Sequence, residues 1–153
     1  MKLAIGQLQA LVAGALLRAG ANATMAECTA LALVLAEAQG LVSHGLSRVS
    51  QYSGHLRTGR VNGAAHAQVL RRKGGALLVD AQEGLAFPAC ELAVREAIAA
   101  AREQGVAFAG VTNSHHCGVV VDHLRLAAAA GMVGLGFANS PSAMPAAGGR
   151  HPI

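Results

Sequence analysis

The sequence predicts an α/β protein in which N-terminal helices precede βαβ units on a mixed sheet. Apolar runs of strand length occur at residues 76–79, 106–111 and 132–138. Helical patterns separate these runs, first at Cys90–Gln104 and then in a helix that ends at Ala130. Strand, helix and strand at this spacing are typical of βαβ units, which bind ligands at the carboxyl ends of their strands.

Three helices are predicted before the first strand. Apolar residues recur at helical spacing along residues 3–17. The second helix follows Thr24-Met25-Ala26-Glu27, which has the form of a capping box, and ends at Gly40. The third begins near Ser43, a good N-cap residue, and ends at Gly59.

Composition limits the class of protein. The chain has 153 residues, 53% hydrophobic and 13% charged, which suits a single folded domain. We expect a helical segment at residues 1–60 and an α/β segment at residues 61–153. No apolar stretch is long enough to span a bilayer, so no membrane role is expected. The three cysteines form no CxxC pair, which favours a reducing compartment and predicts a cytoplasmic protein.

Basic residues dominate the middle of the chain, because no acidic residue occurs between Glu37 and Asp80 while six basic ones do. The net charge of +4 suits an anionic partner. Nucleic acid is not expected, since the interleaved aromatic residues of single-strand binders are missing. Two alternatives stay open: a small anionic substrate or cofactor, and a non-enzymatic module that binds an acidic partner through residues 57–73.

Four polar residues are predicted to share one face of the third helix, opposite its apolar residues: His44, Arg48, Tyr52 and His55. A guanidinium is a rigid fork of donors that matches a carboxylate, and an imidazole exchanges protons near neutral pH. The strip therefore predicts a carboxylate site with a proton donor. The alternative is a solvated helix face, and spacing alone does not decide between the two.

A second candidate site is the NSHHCG sequence at residues 113–118, between a predicted strand and a predicted helix. A helix N-terminus suits a phosphate or a developing oxyanion, and a loop histidine can move a proton. Three alternatives stay open: an ordinary polar loop, a nucleophilic Cys117, and a metal site of His115, His116, Cys117 and His123. The adjacent positions of these ligands disfavour the metal site.

The order of the motifs carries a family resemblance. Ser43-His44-Gly45 precedes Arg48 and Tyr52, the NSHHCG sequence follows, and Ala138-Asn139-Ser140-Pro141 comes before Gly148-Gly149. Along essentially its whole length the chain resembles the malate/L-lactate dehydrogenase family, whose relatives include sulfolactate and ureidoglycolate dehydrogenases and Δ1-piperideine-2-carboxylate reductase. The resemblance implies a sulfolactate dehydrogenase-like fold without the Rossmann glycine signature, which is indeed missing here.

The resemblance implies an NAD(P)-dependent oxidoreductase that interconverts a small 2-hydroxy acid of the malate or lactate type and its 2-oxo acid, or reduces a cyclic imino acid. It also implies a homodimer. Either His44, assisted by Ser43, or His116 would transfer the proton, and Arg48 would bind the substrate carboxylate with Tyr52 beside it. Contacts with NAD or NADP are implied for His116, Cys117, Gly118, Val119, Val120, Val121 and Ser140.

The resemblance covers only the N-terminal half of the family pattern, because members are about twice as long. A C-terminal remainder with much of the cofactor site is therefore expected to be missing from this sequence. Residues 119–121 are valines, whereas relatives often carry an aromatic or small residue there. The chain therefore departs from the family pattern at the implied cofactor contacts. The alternatives are a basic non-enzymatic interaction module and a small His/Cys metal-binding protein.

Overall fold

A computed structural model describes residues 3–139 and 148–151, and these residues confirm the predicted α/β class. A 3-10 turn, Val42–His44, precedes the third helix. The helices are α1 (Ile5–Arg18), α2 (Ala23–Ala38), α3 (Ser47–Arg57), α4 (Ala86–Gln104) and α5 (Val120–Ala129). The strands are β1 (Gln68–Lys73), β2 (Ala76–Gly84) and β3 (Phe108–Ser114). Within these described residues, no helix is both long and apolar enough to cross a bilayer.

The first three helices share one apolar core. Leu16 of α1 and Met25 and Leu33 of α2 are at most 1% exposed, as their helical spacing predicts. The start of α2 differs from the prediction, because Asn22 and not Thr24 caps the helix. The Asn22 side chain accepts a hydrogen bond from the Met25 N–H at 2.9 Å.

The third helix begins four residues later than predicted. Ser43 lies in the 3-10 turn, and α3 starts at Ser47. The Glu37 carboxylate at the end of α2 accepts the Leu46 N–H at 2.9 Å, which provides the cap expected of Ser43. Gly45 lies so close to Glu37 that a Cβ atom would come within 3.1 Å of the Glu37 Cα. A tertiary contact therefore decides where the helix begins.

The sheet is mixed, with strand order β1-β2-β3. Strands β1 and β2 are antiparallel, whereas β2 and β3 are parallel and connected through α4. This arrangement confirms the first predicted βαβ unit. Strand β1 was not predicted, because Arg71, Arg72 and Lys73 hide any apolar alternation. Its only sequence signal is the Gly74-Gly75 turn that follows.

The strand predicted at residues 132–138 is wrong, since residues 132–139 form neither helix nor strand. A Cβ atom at Gly134 or Gly136 would lie 3.2 Å from the Leu124 side chain of α5. The alternate residues point away, and Val133, Leu135 and Phe137 are 95%, 81% and 89% exposed. The segment has the alternation of a strand but no neighbouring strand among the described residues, and only a neighbour could complete a ladder.

The carboxyl ends of β2 and β3 are held by side-chain hydrogen bonds. The Asp80 carboxylate accepts the Gln82 N–H at 2.8 Å and the Asn113 side-chain amide at 3.0 Å. Gln82, Glu83 and Asn113 all have positive φ, a conformation that is uncommon outside glycine. This irregular edge directs the chain after β3 toward the beginning of α3, where the candidate site lies.

Candidate active site

The two sequence motifs meet at the carboxyl end of β3. His44 lies in the 3-10 turn before α3, and His116 lies in the loop between β3 and α5. Their ring centroids are 5.4 Å apart. Side chains from two distant parts of the sequence therefore form one site, a proximity that neither motif could indicate alone.

His116 is anchored through a single ring nitrogen. The Tyr52 hydroxyl oxygen lies 2.7 Å from His116 Nδ1, and the Gly118 backbone N–H donates to the same Nδ1 at 3.2 Å. Burial lowers the pKa of His116, and the nearby charges of Arg48 and His44 lower it further. The imidazole is therefore mainly neutral at neutral pH.

Tyr52 lies on the opposite side of α3 from the one predicted. It is 2% exposed and belongs to the helical core, on the same face as the buried Leu56 one turn later. Its ring lies 6.1 Å from that of Phe87, and burial raises the pKa of its hydroxyl to about 12. The predicted polar strip on α3 is thus wrong for two of its members, because Tyr52 is a core residue and His44 precedes the helix.

Arg48 and Ser43 form the second half of the site. The Ser43 hydroxyl lies 3.0 Å from His44 Nδ1, and Arg48 Nε donates to the Ser43 carbonyl oxygen at 2.6 Å. Arg48 Nη1 donates to the Gln51 side-chain oxygen at 2.8 Å. These partners are neutral, so the positive charge of Arg48 is not offset by them and is available to an anion.

His115 and His55 belong to a different neighbourhood from His116. The His115 ring lies 6.5 Å from that of His55, and its Nε2 is 4.0 Å from a Glu83 carboxylate oxygen. His55 therefore does not join the predicted strip at the His44 site. Adjacent histidines on the NSHHCG loop thus face different partners, a divergence that the dipeptide itself does not indicate.

The ligands of the alternative metal site are not gathered by the fold. His123 Nε2 lies 2.6 Å from the Cys117 carbonyl oxygen, while His116 and His115 face Tyr52 and Glu83. Over residues 3–139 and 148–151, no three His, Cys, Asp or Glu side chains form a potential metal site. Burial raises the pKa of the Cys117 thiol, which disfavours the thiolate that a nucleophile requires.

Phe87 is a supporting residue that sequence reasoning missed. Its ring lies 6.1 Å from those of Tyr52 and His123, and a Cβ atom at Gly118 would come within 2.8 Å of it. Gly118 also has a φ of +71°, so both space and backbone conformation require glycine there. Nothing in the sequence around Phe87 distinguished it from an ordinary core residue.

The loop beyond Gly118 leads directly into a helix N-terminus. Helix α5 begins at Val120, and the Asp122 N–H in its first turn donates to the Val119 carbonyl oxygen at 3.1 Å, which leaves only the earlier N–H groups without a partner in the helix. Such an end is suited to a phosphate group. Val119 and Val120 are half-buried and Val121 is exposed, whereas Ser140 lies outside the described residues.

The chain belongs to the malate/L-lactate dehydrogenase family, whose sequence model matches residues 3–153. It is 40% identical over 151 residues to (2R)-3-sulfolactate dehydrogenase (NADP(+)) of Chromohalobacter salexigens, covering 99% of this chain and 45% of that protein. It is 33% identical over 147 residues to a Delta(1)-pyrroline-2-carboxylate/Delta(1)-piperideine-2-carboxylate reductase of Pseudomonas putida, covering 96% and 43%.

The fold agrees with this assignment. The solved malate dehydrogenase of Pyrococcus horikoshii OT3 matches with a TM-score of 0.79 at 27% identity, over 86% of this chain and 38% of that one. The predicted family and fold are therefore confirmed, and the chain spans less than half the length of each of these relatives. All three are dehydrogenases or reductases by name, so they do not support a basic interaction module or a metal-binding protein.

Proposed function

We propose that this chain provides the substrate and proton-transfer side of an NAD(P)-dependent oxidoreductase. The reaction interconverts a small 2-hydroxy acid and its 2-oxo acid, or reduces a cyclic imino acid. The observation that carries the proposal is the pair of adjacent imidazoles, His44 and His116, beside the Arg48 guanidinium. Family membership supports the reaction class, and the names of the two sequence relatives both describe substrates that carry a carboxylate.

Arg48 is proposed to bind the substrate carboxylate. Its Nε and one Nη are held by Ser43 and Gln51, which restricts the rotation of the guanidinium before substrate arrives. A restrained fork of donors binds a carboxylate with little loss of conformational entropy. The bound acid would then have its C2 carbon beside the two histidines.

Proton transfer is proposed to use the pair of histidines. Reduction adds a hydride to C2, the carbonyl π electrons become a lone pair on oxygen, and that oxygen, or the nitrogen of an imine, takes a proton. His44 has its Nδ1 on the Ser43 hydroxyl, which leaves Nε2 for the substrate. The His116 Nδ1 is hydrogen-bonded to the Tyr52 hydroxyl, which likewise leaves Nε2 for the substrate.

The proposed cofactor is NAD or NADP, and NADP(+) stands in the name of the Chromohalobacter relative. When bound, its nicotinamide supplies or takes up the hydride. Residues 116–121 fit a contact with such a cofactor, because Gly118 carries no side chain and the N-terminal end of the α5 dipole suits a phosphate. Ser140 is proposed as a further contact from the sequence motif alone.

The test is an assay of NAD(P)H oxidation with the protein produced from its complete gene. A panel of 2-oxo acids and cyclic imino acids, each with and without the carboxylate, should give turnover only with the carboxylate present. Fluorescence titration with NAD(P)H should show saturable binding. Absence of cofactor binding, together with salt-sensitive binding of a polyanion, would instead support the basic interaction module.

We further propose that the protein is a homodimer in the cytoplasm, as the family resemblance implied. Leu31 and Leu35, one turn apart on α2, are 54% and 36% exposed, and an apolar stripe of this kind suits an interface. All three cysteines are free thiols, which suits a reducing compartment. Sedimentation velocity and cell fractionation test these two statements separately.

A further inference from the structure

The hydrogen bonds around His116 determine which of its nitrogens carries the proton. A backbone N–H can only donate, so the Gly118 N–H at 3.2 Å requires an unprotonated Nδ1. The Tyr52 hydroxyl, 2.7 Å from the same atom, must then donate as well. In the neutral ring the one remaining proton is on Nε2.

The Tyr52 hydroxyl is well suited to act as a fixed donor. Tyr52, on α3, is 2% exposed and packs beside Phe87 of α4, so its hydroxyl cannot move out to a substrate without leaving the core. Burial raises its pKa to about 12, which keeps the hydroxyl protonated at any physiological pH. Tyr52 therefore acts on His116 from a rigid element.

The charges around His116 oppose its own protonation. Arg48 on α3 and His44 in the preceding turn both face His116, while the neutral Tyr52 and Cys117 are its other titratable neighbours. Two imidazoles 5.4 Å apart beside a guanidinium do not readily carry charge together. His116 is the ring that stays neutral, because its Nδ1 accepts hydrogen bonds from both the Tyr52 hydroxyl and the Gly118 N–H.

We propose that Tyr52, together with the Gly118 backbone N–H, holds His116 as the neutral tautomer that presents Nε2–H to the substrate, and that Tyr52 is thus a positioning residue. The inference rests on the proposed function and deepens it. His116 then donates a hydrogen bond to the substrate oxygen, on which negative charge develops as C2 is reduced. A neutral imidazole is a very weak acid, so the proton that completes the reduction comes from the His44 imidazolium, which becomes neutral.

The tautomer can be observed without any enzymatic assay. In the ¹⁵N-labelled protein, long-range ¹H–¹⁵N spectra at neutral pH should show an unprotonated Nδ1 and a protonated Nε2 for His116. Tyr52→Phe keeps the buried ring but removes the donor, and it should give a measurable population of the other tautomer. Ser43→Ala is the matched control, because it removes the hydroxyl beside His44 and should leave the tautomer of His116 unchanged.

Two results would overturn the inference. One is a protonated His116 Nδ1 in the unaltered protein, which needs no variant to fold. The other is a folded Tyr52→Phe protein in which the His116 tautomer is the same as before. Neither result depends on turnover, so the proposed function could fail while the tautomer assignment holds, and the reverse is equally possible.

Kinetics on the complete enzyme separate positioning from substrate contact. Tyr52→Phe should lower kcat about tenfold, with KM for the 2-oxo acid changed less than about twofold, because the lost effect acts through a transition-state hydrogen bond. A direct contact between Tyr52 and the substrate would instead raise KM and leave kcat nearly constant. That second pattern would contradict the positioning role.

Discussion

His116 and His44 lie side by side, yet the chain holds them by different means. His116 is fixed by a buried tyrosine from α3 and by a backbone N–H of its own loop. His44, which is half-buried, has the hydroxyl of its exposed neighbour Ser43. One imidazole is therefore oriented by the tertiary core and the other by a residue next to it in the sequence. The first suits a fixed hydrogen-bond donor, and the second suits a group that must change its charge.

The largest expected effect comes from removing the core support of His116. Phe87→Ala should lower the free energy of unfolding by about 3–5 kcal/mol, because Phe87 is 3% exposed and contacts the Tyr52 and Gly118 region. Urea denaturation measures the change. Phe137→Ala is the matched control, since Phe137 is exposed and its loss should cost less than about 0.5 kcal/mol. Equal effects would contradict the packing described here.

Replacing each histidine by glutamine distinguishes a hydrogen-bond donor from a proton donor. Glutamine can donate a hydrogen bond but cannot transfer a proton, so His44→Gln should lower kcat about a hundredfold. His116→Gln keeps an N–H donor and should lower kcat only about tenfold. Steady-state kinetics on the complete enzyme provide both values. A larger loss for His116→Gln would reverse the division of roles between the two rings.

A smaller effect is expected at Arg48, which is proposed to hold the substrate carboxylate beside both histidines. Arg48→Lys keeps the charge but loses the two-pronged geometry, so KM for the 2-oxo acid should rise about tenfold. The change in kcat should be smaller, because the lysine still neutralises the carboxylate. Gln51→Ala, which removes only a support of the guanidinium, is the control and should raise KM less. An unchanged KM in Arg48→Lys would contradict the proposed carboxylate clamp.

The smallest effect is the pH dependence of stability at His116. Its pKa is lowered in the folded protein, chiefly by burial and then by Arg48 and His44, so protonation favours the unfolded chain. The free energy of unfolding should therefore fall as the pH drops below about 6.5, and it should level off below the folded-state pKa. Urea denaturation at several pH values should give a shallower decrease in His116→Gln. The exposed His66→Gln is the control and should keep the original slope.

Much of the fold could be predicted because its signals are local. Apolar periodicity predicted α1, α2 and α4, and Gly105, with a φ of +80°, ends α4 as expected. The run at residues 106–111 marked β3, although the strand extends from Phe108 to Ser114. The strand predicted at residues 132–138 is wrong because an apolar run does not show whether another strand lies beside it to accept its hydrogen bonds.

The sequence could indicate which residues belong to the candidate site, but not how they are arranged. The residue types at 44, 48 and 116 suggested carboxylate binding and proton transfer, while the family resemblance implied the reaction and the assisting role of Ser43. The burial of Tyr52 was missed, because a tyrosine on an amphipathic helix suits either face. The contacts of His116 with Tyr52 and His44 could not be predicted either, because sequence spacing does not indicate contacts between distant residues.

The class of fold, the family and a set of candidate site residues could thus be inferred from the sequence, since they depend on periodicity, motif order and residue type along the chain. That Glu37 delays α3, that Tyr52 faces the core and that His116 meets His44 was visible only once the chain was folded. The physical reason is that helix periodicity and residue chemistry are local properties. The tautomer of an imidazole and the start of a capped helix depend on donors and acceptors that distant segments bring within 3 Å or so.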